Sequence, residues 1–342
     1  ARAHARPQGR MNAPARPSGA GETGGTVLRI LRVAAPLALI AALAVVPLVD
    51  FGANSAKVLF LTFLWTTTGV AWNILGGFTG QPSFGFAVFY GLGAYTTALG
   101  INGGLSPYLT FPLAAVVAAL ASLAIGLPTF RLRGPYFAIA TIGVSEAVRV
   151  IMTNLQFTGG ASGYRIVESI PFRQADHYYS GLALVVVAVA VSMLVRRSRF
   201  GLALRAIRDD QEAASDSGVN PFTAKLAAHA VAAALTGAAG GVYARYAAFI
   251  SPDGVFAFQR SVAILLMPII GGVGTIWGPV VGGGIYGVVE EELTARFPEF
   301  HLLLYGALVI LIILFEPGGV MGLLARARRL FSRRKDVSWQ PS

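Results

Sequence analysis

Polar residues are scarce in this chain, so those that recur in a pattern stand out. The densest group is Arg205, Arg208, Asp209, Asp210 and Glu212, followed by Ala213, Ala214 and Gly218. Leu202, Leu204, Ile207 and the Ala213-Ala214 pair fall roughly on one helical face, with the charges on the remainder. Gly218 and Asn220-Pro221 stop that helix, and Asn220 and Pro221 are placed to start the next. Residues 205–216 hold two arginines against four acids. A helix lying on lipid favours net positive charge, so a protein partner is the expectation here. The chemistry is docking.

A second group is polar without being charged. Residues 76–95, "GGFTGQPSFGFAVFYGLGAY", contain six glycines, Pro82, Gln81 and Ser83. Gly76, Gly77, Gly80 and Pro82 interrupt a helix, while Gly85, Gly91 and Gly93 allow close packing after the interruption. Catalytic and metal patterns are missing by contrast. There is no phosphate-binding Gly-Lys-Ser/Thr loop, no His-Glu-x-x-His and no Gly-x-Ser-x-Gly. His4, His177, His229 and His301 are widely scattered, and there is no cysteine. No catalytic residue, metal ligand or bound cofactor is expected of this chain.

The elements that must position these residues are membrane helices. The 342 residues are 55% hydrophobic and 13% charged, with mean hydropathy +0.64; soluble domains carry about 25% charged residues. Apolar runs of about 20 residues recur, the length a bilayer demands. The alternating ten-residue segments of a β-barrel are absent. The expected fold is all-α: a polytopic transmembrane helical bundle in contact with lipid. The net charge of +11 would suggest nucleic acid on a soluble domain. Here arginines stand at the ends of apolar runs and set orientation instead, so no nucleic acid is expected.

About ten membrane segments are predicted: 33–49, 57–75, 83–101, 108–127, 136–155, 180–195, 224–249, 261–273, 277–290 and 301–316. Residues 1–26 are a disordered cytoplasmic head, 27–323 the transmembrane domain with a cytoplasmic loop at 196–222, and 324–342 a basic tail. Met11 is either the true start or an internal residue. Arg29 and Arg32 before the first run resemble a secretory signal, but the many later spans favour an uncleaved helix. Basic loops at 128–135 and 196–222, the head and the tail all fall on one side. The balanced segment 156–179 and the acidic segment 290–300 fall on the other. Both termini are then cytoplasmic.

Segments eight and nine are short and flank "GGVGTIWGP", residues 271–279, which makes them half-helices at about 1.5 Å per residue. Irregular backbone at membrane depth is tolerated only inside protein or beside a watery cavity. Paired interruptions point to a substrate route. Gly80, Gln81, Ser83, Gly85, Phe86, Tyr90, Gly271, Gly272 and Gly274 are the translocation-path candidates. Five spans per half would give an inverted repeat. "SFGFAVF" (83–89) and "DGVFAF" (253–258) share a Gly-to-Phe pattern in support of it.

Other positions admit bland readings. Glu146 and Arg149 can pair three residues apart, either as functional intramembrane charges or as a structural or snorkelling pair. His229 is expected to be a packing histidine. Gly237-x-x-x-Gly241 and Gly278-x-x-x-Gly282 suit close helix approach, and Pro268 a kink. Tyr90 and Tyr95 fit a pathway wall or an interface equally.

A family resemblance emerges from these motifs. "EAASDSG" (212–218) resembles the cytoplasmic-loop signature by which ABC-importer permeases dock onto their ATPase. "GGFTGQPSFGFAVFYGLGAYT", "LRGPYFAIATIGVSEAVR", "TGGASG", "RFGLALRAIRDDQEAASDSGVN", "FISPDGVFAFQRSVAILLMPIIGGVGTIWGPVVGG" and "LFEPGGVMGL" resemble LivM-type permeases of branched-chain amino acid ABC importers, in order, from about 57 to 323. The resemblance implies that Glu212, Ala213, Ala214 and Gly218 form the docking elbow, with Arg205, Arg208, Asp209 and Asp210 around it. It implies a homologous second permease, two ABC ATPases carrying ATP and magnesium, and an extracytoplasmic substrate-binding protein. It also implies a bacterial plasma (inner) membrane location and no covalent chemistry by this chain. One departure is Phe86, where the family commonly has histidine after the serine and glycine; substrate preference is the property it touches. Urea, short amides and aromatic acids are alternative substrates within the family. An ion-coupled transporter or channel would want acids in the interruptions, and 76–95 and 268–289 have none. A membrane-embedded enzyme would want a convergent polar triad.

Overall fold

A computed structural model describes residues 40–48, 53–167, 173–296 and 318–324, with isolated residues elsewhere. The predicted head, most of the first and last apolar segments, and the basic tail beyond 326 lie outside the described residues. Ala38 and residues 40–46 belong to a separate unit, helical over 40–45; all else described belongs to the unit beginning at Pro47.

Helices dominate that unit. α1 (Ala53–Trp72) continues through a π-helical turn, Asn73–Gly77. It is followed by α2 (Phe86–Asn102), α3 (Pro107–Thr129), α4 (Pro135–Asn154) and α5 (Gln174–Arg197). The loop helices α6 (Arg199–Asp209) and α7 (Gln211–Asp216) lead into α8 (Pro221–Ala247). A single turn, α9 (Pro252–Val255), precedes α10 (Phe258–Gly271) and α11 (Gly278–Arg296). These account for the eight predicted apolar segments from 57–75 to 277–290. Six described helices are long and apolar enough to cross a membrane. The chain is a multi-pass membrane protein with an all-helical bundle.

α3 and α8 bury mainly small residues, because lipid is as apolar as leucine and close backbone approach must drive association. α8 is the centre: Ala228, Ala232, Ala233, Ala239, Gly240 and Gly241 are buried against α2 and α3. The two expected small-residue motifs pack as read. A Cβ on Gly237 would lie 2.4 Å from Ala118 and one on Gly282 1.9 Å from the Met267 carbonyl.

The predicted polarity of the loops is geometrically coherent. At one end, Arg133 meets Glu212 at 3.4 Å and Lys225 donates to Gln211 at 2.6 Å. At the other, Lys57 pairs with Glu291 at 2.9 Å, Asn102 binds the backbone of Arg165 and Val167, and Arg149 pairs with both Glu146 and Asp253. Arg149 therefore ties α4 to α9 through Asp253, while Glu146 pairs with it from within α4. A two-residue antiparallel ribbon, Tyr164–Arg165 with Phe249–Ile250, covers this end.

Two lengths differ from the sequence reading. α11 continues past Glu290 to Arg296 and spans 19 residues, about 28 Å at 1.5 Å per residue; α10 has 14. The pair is thus unequal, with only α10 markedly short. Charge placement explains the extension: Glu291 pairs with Lys57 and Glu292 with Arg296 one turn on, so acids that end the apolar run do not end the helix.

Candidate functional site

The chain breaks where glycine and proline predicted. The π turn ends at Gly77, helical residues continue to Thr79, and residues 80–85 are irregular before α2 begins at Phe86. Gly80 starts the break with φ +70°, a conformation that costs other residues a Cβ clash. The segment runs inside protein. Trp72 Nε1 donates to the Ser83 carbonyl at 2.8 Å, and Phe84 N to Thr141 Oγ1 at 3.0 Å. Ala87 N donates to Ser261 Oγ at 2.9 Å. Side chains of α1, α4 and α10 thus replace the helical bonds the break forfeits, as membrane depth requires. Gln81, Ser83 and Gly85 are buried, while Gly80 and Pro82 are exposed. Gln81 Oε1 is buried with no hydrogen-bond partner among the described residues.

The two similar Gly-to-Phe segments meet. Phe84 stacks on Phe258 with centroids 6.4 Å apart, and from that point α2 and α10 run in opposite directions. Tyr90 lies beside Arg260, whereas Met267 lies beside Gly69 towards the basic end.

The second break, 272–277, is closed by Thr275, which donates to the Gly272 carbonyl and accepts from Gly278 N, each at 2.8 Å. Asn73 joins the π turn ahead of the first break to the second break. Its Nδ2 donates to the Thr275 carbonyl and its Oδ1 accepts from Gly274 N, both at 2.8 Å. Sequence reasoning missed Asn73; the available signal was an amide inside the apolar run of α1.

Residues of the loop between α5 and α8 reach the same place. Arg208 Nη1 donates to the Gly77 carbonyl at 2.7 Å. The guanidinium lies so close to Gly274 (φ +78°) that a Cβ there would stand 1.9 Å from Nη1. Arg208 is therefore the contact between the loop helices and both breaks.

The loop differs from the single helix expected. Asp210 interrupts it and caps α7, accepting from Glu212 N at 2.8 Å and Ala213 N at 3.1 Å; an N-cap carboxylate satisfies amides a helix start leaves orphaned. Leu204, Ile207 and Ala214 are buried, but Leu202 is 64% exposed and Ala213 is exposed too. The apolar face is thereby split between the core and the outside. Arg205, Asp209, Glu212 and Gly218 are exposed. Beside them opens a groove of about 540 Å³, lined by Arg131, Arg133, Glu212, Asp216 and Lys225 among others.

Of the path candidates, Phe86 is wholly buried in an aromatic cluster. Its ring packs edge-on to Phe89 and to His229, and Phe130 meets His229 from another side. His229 sits among these rings, adjacent to the position where the family pattern departs, and its Nδ1 is buried with no hydrogen-bond partner among the described residues. Tyr95 stacks on Phe256 at an α2–α9 interface. Tyr90 instead lines a cavity with Arg260. Gly271 lies at the α10–α11 crossing, and Gly272 and Gly274 in the second break.

Residues 54–313 match the family described as the permease component of branched-chain amino acid transport systems. The chain is 31% identical over 300 residues to the high-affinity branched-chain amino acid transport system permease protein LivM of Salmonella typhimurium. That covers 78% of this chain and 70% of the relative. The LivM of Escherichia coli K12 is also 31% identical, over 76% of this chain and 68% of the relative. The permease protein LivH of Salmonella typhimurium is 30% identical over 135 residues, 39% of this chain and 43% of the relative. No solved structure matches. The chain therefore belongs to the family of permease components of branched-chain amino acid transport systems.

Proposed function

We propose that this chain is the transmembrane permease subunit of an ATP-driven importer that moves branched-chain or other hydrophobic amino acids into the cytoplasm. It works with a homologous permease, two ATPase subunits that bind ATP and magnesium, and an extracytoplasmic binding protein, in the bacterial plasma membrane. The chain itself makes and breaks no covalent bond. The single observation that carries the reading is Arg208, which bonds the exposed loop helices to the Gly77 carbonyl at the junction of both breaks.

Nucleotide-driven closure of the ATPases displaces α6 and α7, whose outer surface offers Leu202, Arg205, Asp209 and Glu212. Arg208 carries that displacement to residues 77–85, and Asn73 passes it to 272–277. Irregular backbone is the part of a helical bundle that changes conformation at low cost, so the access state changes there. A ligand-driven shift of this kind needs the ATPase to bind the two states differently, and the elbow supplies the contact that differs.

The test is reconstitution of the full complex with parallel measurement of leucine uptake and ATP hydrolysis. Glu212→Arg is expected to reduce uptake roughly tenfold or more while hydrolysis persists, because it reverses the charge on the exposed face of α7. Arg208→Ala is expected to leave ATPase binding and hydrolysis in place and to lose uptake. Normal coupled transport in Glu212→Arg would overturn the docking assignment. Uptake of urea or aromatic acids but not leucine would overturn the substrate.

A further inference from the structure

We infer that this permease carries its own zwitterion site, which binds an α-amino acid between Arg260 and Glu290. A cavity of about 200 Å³ lies between α1, α2, α8, α10 and α11, towards the end opposite the basic loops. It is smaller than the roughly 300–1,000 Å³ of drug-sized pockets, and so suits a small solute. Its walls are aromatic and aliphatic, with Trp65, Tyr90, Tyr243 and Leu64 prominent.

The charges are what make it specific. The Arg260 guanidinium sits 4.6 Å from the Tyr90 ring centre, 5.2 Å from Tyr243 and 5.5 Å from Trp65, all within cation–π range. Its Nε donates to the Gly254 carbonyl at 3.1 Å, which fixes the side chain and leaves the terminal nitrogens to the cavity. Glu290 is half-buried on the same wall and Trp65 lies against it. Neither Arg260 nor Glu290 forms an ion pair within 4.0 Å among the described residues, whereas neighbouring Glu291 is engaged by Lys57.

A half-buried cation and a half-buried anion facing one cavity without pairing are costly unless something bridges them. A zwitterion does so: its carboxylate meets the Arg260 fork and its ammonium meets the Glu290 carboxylate. The aromatic wall then takes an apolar side chain. A simple amine leaves Arg260 unpaired, and a simple carboxylate leaves Glu290 unpaired. Uncharged urea engages neither charge fully. The site therefore selects amino acids over their mono-charged analogues, and it deepens the transport reading above, on which it rests.

The experiment uses the full chain purified in lipid nanodiscs, without binding protein or ATPases. Direct binding of leucine is compared with 4-methylpentanoate, which lacks the amino group, and isoamylamine, which lacks the carboxylate. Leucine is expected to bind saturably, with quenching of Trp65-dependent fluorescence, and each analogue roughly 10- to 100-fold more weakly. Arg260→Gln and Glu290→Gln are expected to weaken leucine to a similar extent. The analogue comparison on the unaltered protein keeps the test decisive if a variant fails to fold. Equal binding of leucine and 4-methylpentanoate, or no saturable leucine binding, overturns the site. Leucine uptake by the reconstituted importer with an unchanged KM in both variants overturns it too, while leaving the transport reading intact.

Discussion

At the residue scale, the least conspicuous polar side chain in the sequence has the largest structural reach. Asn73 opens the π turn at the end of α1, wholly buried, and uses both ends of its amide on the backbone of residues 274 and 275. Those two backbone groups belong to half-buried residues, and a buried group left unpaired costs about 1–3 kcal/mol. Asn73→Ala is therefore expected to lower the thermal unfolding midpoint of the purified permease. In the reconstituted complex it should weaken uptake more than ATP hydrolysis, since it frees the second break from the π turn without touching the exposed surface of the loop helices. Wild-type stability together with wild-type coupling in this variant would show that the amide tie does nothing.

At the scale of elements, the sequence made the helices and the positions of both interruptions legible. Glycine clusters and Pro82 disturb local backbone, and that signal is short-range. It left the extent of the first break open, because Gly85, Gly91 and Gly93 resemble breakers by composition yet serve packing. Only 80–85 departs from helix. The loop helices were legible as amphipathic but not as two pieces, since Asp210 acts as a cap only once the backbone turns there. Contacts such as Arg208 with Gly77 or Trp65 with Arg260 join residues far apart in the chain, and no local pattern records them. The α10–α11 crossing offers an internal contrast. A Cβ on Gly282 would stand 1.9 Å from the Met267 carbonyl, while one on Gly284 meets nothing within 4 Å. Gly282→Val should collapse the folded yield in detergent. Gly284→Ala should preserve it and stabilise by up to about 1 kcal/mol through helix propensity. Equal tolerance of both substitutions would mean the two helices do not approach as closely as described.

At the scale of the whole molecule, the distribution of charge carries an expectation of which end meets the cytoplasm. Arg131, Arg133 and the loop helices gather at one end, together with the groove beside Glu212. The ribbon of Tyr164–Arg165 with Phe249–Ile250 and the Lys57–Glu291 pair mark the other. The positive-inside rule assigns the first end to the cytoplasm, and the docking and import readings both require that orientation. On the proposed function, an ATPase would reach α6 and α7 only from inside, and the Arg260–Glu290 cavity would receive solute from a binding protein only outside. The absence of cysteine from the sequence makes the polarity directly measurable. Ser162 and Ser215 are exposed at opposite ends, and each can be replaced singly by cysteine without a competing thiol. A membrane-impermeant maleimide added to intact spheroplasts should label Ser162→Cys and spare Ser215→Cys. Breaking the membrane should make both react. The reverse pattern would place the loop helices outside, and would remove the physical basis for ATP-driven import by this chain.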